Sequence, residues 1–114
     1  MIVDLNQDQK SKLRRLIENK YYSKFEAQVE KLGDFENLPT YLKMGYAGSK
    51  TLNPNSKKED FLKATIIFEK IYSKDDTNLE ALYNLILSSL KAEVSFYVLK
   101  HLENFYKKNK TNIK

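Results

Sequence analysis

The chain has 114 residues, with 20 Lys and Arg residues against 15 Asp and Glu residues, and its formal net charge is +5. This length suits one domain with a single core, and the balance of charged and apolar residues is typical of a soluble globular protein. The absence of cysteine excludes a disulfide framework and thiolate chemistry. The longest apolar segment, residues 79–90, is interrupted by Glu80 and Asn84 and is shorter than the roughly 20 residues of a membrane span.

Two helices are predicted at the start of the chain. Asn6 and Gln9 have the spacing of a capping box, and apolar residues with helical spacing follow them. A second capping box begins at Ser23, and Gly33 is expected to stop the helix that it opens. These signals predict a first helical hairpin over residues 7–32.

A second hairpin is predicted over residues 38–73. Asn37 is expected to cap its first helix, which should run to about Lys50. An irregular loop is predicted at residues 51–56, and a capping box that begins at Ser56 should then open the second helix.

A third hairpin is predicted over residues 78–109. Another capping box begins at Thr77 and should open a helix that ends near Lys91. The last helix is expected from Val94 to about Asn109, and the tail at 110–114 is expected to fray. Because no segment has the alternation of a strand, the sequence predicts an all-α fold made of six helices in one domain, 1–114.

Small and bulky residues of the second hairpin follow the order of a known repeat. The residues in this order are Tyr41, Met44, Gly45, Gly48, Ala64 and Phe68, followed by a turn at 74–76, and Gly48 stands where the family usually has Tyr. This order resembles the tetratricopeptide repeat, a helical hairpin of about 34 residues with the pattern W-x2-L-G-x2-Y and then A-x3-F. The resemblance implies three stacked antiparallel hairpins in a right-handed solenoid.

The same resemblance implies a binding function, because the first helix of each hairpin in this family lines a concave groove for a partner. Carried over by register, the groove residues would be Arg14, Ile17, Leu42, Lys43, Tyr46, Lys50, Tyr83, Asn84, Leu87 and Lys91. An apolar strip edged by lysines suits an amphipathic helix or an extended peptide with some negative charge. The alternative is that some of these side chains pack against the neighbouring helices of the chain itself.

The last helix has apolar residues where the earlier hairpins have polar ones. In register, Tyr97 corresponds to Lys24, and Leu99 corresponds to Glu26. A terminal repeat should instead present a polar outer face. We therefore expect a second contact surface for a partner, for another copy of the chain or for a further part of the protein, unless the helix is rotated about its axis. Its residues would be Phe96, Tyr97, Leu99 and Tyr106.

The sequence predicts no catalytic site, no metal site and no cofactor. His101 is the only histidine, and it is expected on the surface of the last helix. No Gly-rich phosphate loop, nucleophile elbow or metal-ligand spacing occurs. We therefore expect a protein that is not an enzyme and whose partner is another protein.

Nucleic-acid binding is the alternative function. Lysines at 57–58, 100, 107–108 and 110 are interleaved with aromatic residues that could stack on bases. Arginine, which binds phosphate through two hydrogen bonds, occurs only at Arg14 and Arg15, and this favours a solvated lysine surface.

The start of the chain lacks a signal-peptide pattern. The compartment is left open, with the cytoplasm as the default and an exported location if a leader has been removed.

Overall fold

A computed structural model describes residues 4–109, except for the side chains of Ser95, Tyr97, Val98, Asn104, Lys108 and Asn109. Within these residues the protein is all-helical and has no strand, which confirms the predicted fold class. Its helices are α1 (Gln7–Glu18), α2 (Tyr22–Glu30), a 3-10 helix (Phe35–Asn37), α3 (Thr40–Leu52), α4 (Lys58–Lys74), α5 (Leu79–Ala92) and α6 (Ser95–Asn109). None of the described helices is both long enough and apolar enough to cross a membrane. The tail predicted to fray lies outside the described residues.

Side-chain caps mark the starts of α1 and α5. The capping box at the start of α1 is confirmed, because Asn6 Oδ1 accepts from the Gln9 N–H at 2.8 Å and Gln9 Oε1 accepts from the Asn6 N–H at 3.0 Å. Asn78, rather than Thr77, caps α5 by accepting from the Ala81 N–H at 3.0 Å. The N-cap of α4 is likewise one residue later than predicted, at Lys57 instead of Ser56.

Three other sequence predictions about helix ends are wrong. Helix α2 begins before Ser23 and has no side-chain cap. Asn37 belongs to the 3-10 helix, and α3 starts after Pro39, where the missing proline N–H costs nothing. The predicted loop at 51–56 begins later, at Asn53, because the buried Thr51 continues α3 and donates its hydroxyl to the Ala47 carbonyl at 2.9 Å.

Each helix packs against the next one along the chain, and α3 also contacts α5. Helix α3 runs antiparallel to α2, since Ser49 near its end contacts Tyr22 while Tyr46 contacts Glu30. The most extensive contact joins α4 to α5, and in it the buried Thr65 hydroxyl donates to the Ser88 hydroxyl at 3.0 Å.

The described apolar residues form two clusters that meet at α3. The first joins α1, α2 and the start of α3, and its buried members are Leu5, Leu13, Phe25, Val29, Leu38 and Leu42. The second joins α3, α4 and α5, with Phe105 of α6 packed against it. Its members are Ala47, Ala64, Phe68, Ile71, Tyr72, Ala81, Leu82 and Leu85. Ala47 and Ala64 are fully buried, and such small side chains allow helices to approach closely.

Candidate protein-binding site

Helix α3 presents two different surfaces. Tyr41, Gly45, Gly48 and Leu52, spaced by four, three and four residues, line cavities together with α1 and α5. Lys43 and Tyr46 project instead toward α2 and the end of α4. The residues predicted to share one groove are therefore divided between two sides of this helix.

The first surface is a trough between α1, α3 and α5. Two cavities of about 780 and 240 Å³ make up this trough, and they share Ile17, Tyr41 and Gly45 in their walls. We define the trough by Arg14, Ile17, Tyr41, Met44, Gly48, Leu52 and Asn84. It thus contains three of the predicted groove residues, namely Arg14, Ile17 and Asn84.

The floor of the trough is open above α3. A Cβ atom added to Gly48 would meet no atom within 4 Å apart from the neighbouring backbone of α3 itself, whereas one added to Gly45 would lie 3.2 Å from Phe25 Cζ. On either side of Gly48, Tyr41 is 53% exposed and Leu52 is 58% exposed. The trough therefore offers apolar side chains around a place where the backbone of α3 can be approached closely.

Charges of both signs surround the trough. Lys10 and Arg14 line its end near the start of α1, and Glu18 and Glu80 line the larger cavity. Asn84 donates its side-chain amide to the Glu80 carbonyl at 2.9 Å. The α1 side is the more basic one.

Two predicted groove residues are buried, which corrects the prediction. Leu42 is 3% exposed and belongs to the first apolar cluster, although it also borders the smaller cavity. Lys50 is 6% exposed, and its Nζ lies 2.9 Å from Glu26 Oε1 and 3.7 Å from Asp60 Oδ1. Burial alone would lower the pKa of Lys50, but the hydrogen bond and charge of Glu26, together with Tyr46, outweigh burial and raise it.

Lys43 and Tyr46 line a separate cleft of about 570 Å³, bordered by α2, the 3-10 helix and α4. Lys43 Nζ donates to the Glu36 carbonyl at 3.0 Å, and the Tyr46 hydroxyl donates to Glu30 Oε2 at 2.6 Å. Burial, followed by this hydrogen bond to Glu30, raises the pKa of Tyr46 to about 12. Both side chains thus hold parts of the chain together outside the trough.

The α5 residues of the predicted groove also separate. Tyr83 is 66% exposed and follows Leu79 by one helical turn, on a different side of α5 from Asn84. Leu87 is half-buried. Lys91 Nζ donates to the Thr51 carbonyl at 2.9 Å and lies 5.5 Å from the centre of the Phe61 ring. Lys91 therefore contacts the C-terminal end of α3 and the first turn of α4.

The predicted second contact surface is exposed where it is described. Phe96, Leu99 and Tyr106 are 64%, 66% and 61% exposed, while the side chain of Tyr97 lies outside the described residues. Leu102, which is 39% exposed and lies between them in the sequence, was not among the predicted residues of this surface. His101 is buried rather than exposed, which corrects the prediction: its ring packs edge-on against Tyr72 at 5.7 Å, and its Nε2 lies 3.3 Å from Glu69 Oε2.

Among the lysines of the alternative function, Lys58 lies on α4 and Lys100 and Lys107 lie on α6, while Lys110 lies outside the described residues. Lys58 pairs with Glu93 at 3.1 Å, and Lys107 pairs with Glu103 at 3.0 Å. Within residues 4–109, no three His, Cys, Asp or Glu side chains are close enough together to hold a metal ion.

Sequence reasoning missed four trough residues, Tyr41, Met44, Gly48 and Leu52, although their spacing places them on one side of a helix. The resemblance placed Tyr41 in the repeat pattern and not among the groove residues, and Leu52 fell in a predicted loop. The side chains of Tyr41, Met44 and Leu52 give the trough a surface suited to noncovalent contact with apolar side chains.

A comparison of the chain with models of protein families, with curated proteins and with solved structures found no match.

Proposed function

We propose that this chain is a tetratricopeptide-like array of three hairpins in a right-handed solenoid, and that it is a non-catalytic module that binds a partner protein in the trough. The partner helix or extended peptide lies along α3, between α1 and α5. The trough replaces the groove expected from register, because Leu42 and Lys50 are buried and Tyr46 lies on the other side of α3.

Gly48 is the observation that carries this proposal. A glycine inside a helix costs about 0.5–1 kcal/mol relative to alanine. Gly45 avoids a tight contact with Phe25, but a Cβ atom at Gly48 would meet no atom within 4 Å apart from the neighbouring backbone of α3 itself. A reason for glycine at this position is therefore the close approach of another molecule.

The neighbours of Gly48 indicate what that molecule is. Tyr41 and Leu52 expose apolar surface at either end of α3, and the helix between them is on the order of 16 Å long, about three turns. Met44 can adapt its shape to an irregular apolar surface. Lys10 and Arg14 favour acidic residues on the partner where it contacts α1. The partner segment that fits is an amphipathic helix of a few turns with an acidic edge.

The test uses amphipathic peptides with an acidic edge, displayed as a library and selected against the wild-type chain. The Gly48→Leu substitution places a side chain on the open trough floor, so we expect it to weaken binding of the selected peptides at least tenfold, about 1.4 kcal/mol. Leu52→Glu should also weaken it. Fluorescence anisotropy of labelled peptide measures the affinity, and circular dichroism checks that the helices are kept.

Ile66→Glu is the matched control, because Ile66 is 41% exposed and borders the separate cleft. It should leave the affinity unchanged. The proposal is wrong if no peptide is selected, or if the selected peptides bind the Gly48→Leu chain as tightly as the wild type.

A further inference from the structure

Helices α5 and α6 form a hairpin that packs on α4 with both of its helices. The buried side of α5, which includes Leu82, Leu85 and Ser88, faces α4. Helix α6 contacts α4 through His101, which lies beside Glu69 and Tyr72. Since buried residues of both helices contact α4 and the two helices contact each other, the sides turned away from α4 lie next to each other on the hairpin.

This opposite side is apolar. We call it the hairpin face and define it by Leu79, Tyr83, Leu90, Phe96, Leu99, Leu102 and Tyr106. The described part of the chain exposes eleven large apolar side chains, and seven of them are on this face. The α6 members are three or four residues apart, so they form a stripe along that helix.

The apolar area of the hairpin face is large for an isolated protein. Each of its seven side chains is between 39% and 66% exposed, and exposes on the order of 100 Å². Their sum is roughly 700 Å², above the 300–600 Å² of the largest apolar patch on a typical monomer. It approaches the roughly 800 Å² that each partner contributes to a stable protein–protein interface.

We propose that the hairpin face is the interface of a homodimer. Two copies related by a two-fold axis place their α5–α6 hairpins face to face and form a four-helix bundle. This interface is on α5 and α6, so it leaves the α1 and α3 sides of the trough open.

The charges beside the stripe suit a second copy. When the two α6 helices run antiparallel across an axis near Leu102, Phe96 of one copy meets Tyr106 of the other. The same register brings Glu103 of each copy, which pairs with Lys107 of its own helix at 3.0 Å, beside Lys100 of the other copy, so attraction between opposite charges occurs twice across the interface. The net charge of +5 on each copy opposes dimer formation, but salt screens exposed charges that are more than about 8 Å apart at physiological ionic strength.

Sedimentation equilibrium tests the dimer. The wild-type chain should have twice its monomer mass of 13.4 kDa at micromolar concentration. Leu90→Glu should raise the dimer dissociation constant at least tenfold, because it places a carboxylate in the interface. Leu52→Glu is the matched control, since Leu52 and Leu90 are both 58% exposed, and it should leave the dimer intact. A wild-type chain that is monomeric up to 0.1 mM, or a dimer that Leu90→Glu leaves unchanged, overturns the proposal.

A cysteine cross-link tests the same interface without introducing a charge. The chain has no cysteine, so Leu102→Cys gives a single thiol close to the expected two-fold axis, where a disulfide needs Cα atoms about 4.4–6.8 Å apart. Ile66→Cys is the control, since Ile66 is 41% exposed and Leu102 is 39% exposed. Mild oxidation should convert the Leu102→Cys chain to a covalent dimer much faster than the Ile66→Cys chain. Equal rates would show that the copies do not meet at the hairpin face.

Discussion

Tyr46 and Lys50 are polar side chains that hold the helices together instead of contacting a partner. The Tyr46 hydroxyl donates to Glu30 on α2, and the Lys50 ammonium group lies 4.8 Å from the centre of the Tyr46 ring. Register alone could not show this, because adjacent positions of α3 face different neighbours. Whether a side chain contacts α2 or solvent depends on how the two helices are rotated about their axes relative to each other. The spacing of residues within one helix does not predict that rotation.

Alkaline pH should destabilise the fold through Tyr46. Its pKa is raised to about 12 in the folded chain, against 10.0 for the ordinary side chain, so the unfolded state loses the phenol proton first. The stability that the protonated Tyr46 side chain contributes to the fold is fully present below pH 10 and is lost as the pH rises toward 12. We expect the melting temperature of Tyr46→Phe to fall less steeply than that of the wild type in this interval.

Differential scanning calorimetry at a series of pH values measures the two slopes. Tyr83→Phe, which removes an exposed phenol, is the matched control. Equal slopes for the wild type and Tyr46→Phe would contradict the raised pKa of Tyr46, which burial and then the hydrogen bond to Glu30 produce.

At the scale of the elements, α3 connects its neighbours on both sides. It contributes Leu42 to the first apolar cluster and Ala47 to the second, and Lys50 joins it to α2 and α4 through Glu26 and Asp60. The helices themselves could be predicted from apolar spacing and from caps such as Asn6. Their starts could not always be predicted, because Ser, Thr and Asn residues near a helix start compete for the cap position, and tertiary contacts decide between them.

Breaking the buried ion pair between Lys50 and Glu26 should destabilise the fold. Glu26→Gln leaves the Lys50 ammonium group buried with a weaker partner, so we expect a loss of about 3 kcal/mol in the free energy of unfolding. Adding Lys50→Met to Glu26→Gln should recover part of that loss, because no buried charge is left without compensation. Urea denaturation followed by circular dichroism measures the three stabilities.

Lys58→Met is the control for an exposed pair, since the side chains of Lys58 and Glu93 are 66% and 76% exposed. It should cost less than about 1 kcal/mol. A loss for Glu26→Gln as small as the loss for Lys58→Met would mean that the Lys50 ammonium group is accessible to water.

At the scale of the whole molecule, contacts are made mainly between consecutive helices, and α4 and α5 share the largest of them. The all-helical class could be predicted because apolar spacing and caps agree over most of the chain. The hairpin face could be predicted in part, from the apolar residues of α6. The contribution of α5 was missed because Leu79 and Leu90 are typical of a buried helix in the sequence and Tyr83 was predicted to line the groove, and only the packing of α5 on α4 shows which way they face.

Linear packing predicts an order of local stability. Amide hydrogens of α4 and α5 should exchange most slowly, because these helices have neighbours on both sides and the largest shared contact. Amides of α1 should exchange faster, since among the described helices α1 packs mainly against α2. Native-state hydrogen exchange read by NMR measures this order. Uniform protection from α1 to α5 would instead indicate a single cooperative unit.

The hydrogen bond from Lys91 to the Thr51 carbonyl makes the last turn of α3 depend on a residue that is synthesised later, in α5. It spans 40 residues and supplies a donor to the C-terminal end of α3. On the ribosome, α3 emerges before α5, so its final turn lacks this donor until Lys91 has been synthesised and α5 has folded back. Nascent chains stopped before Lys91 should therefore have a frayed end of α3, and translation of α5 completes it.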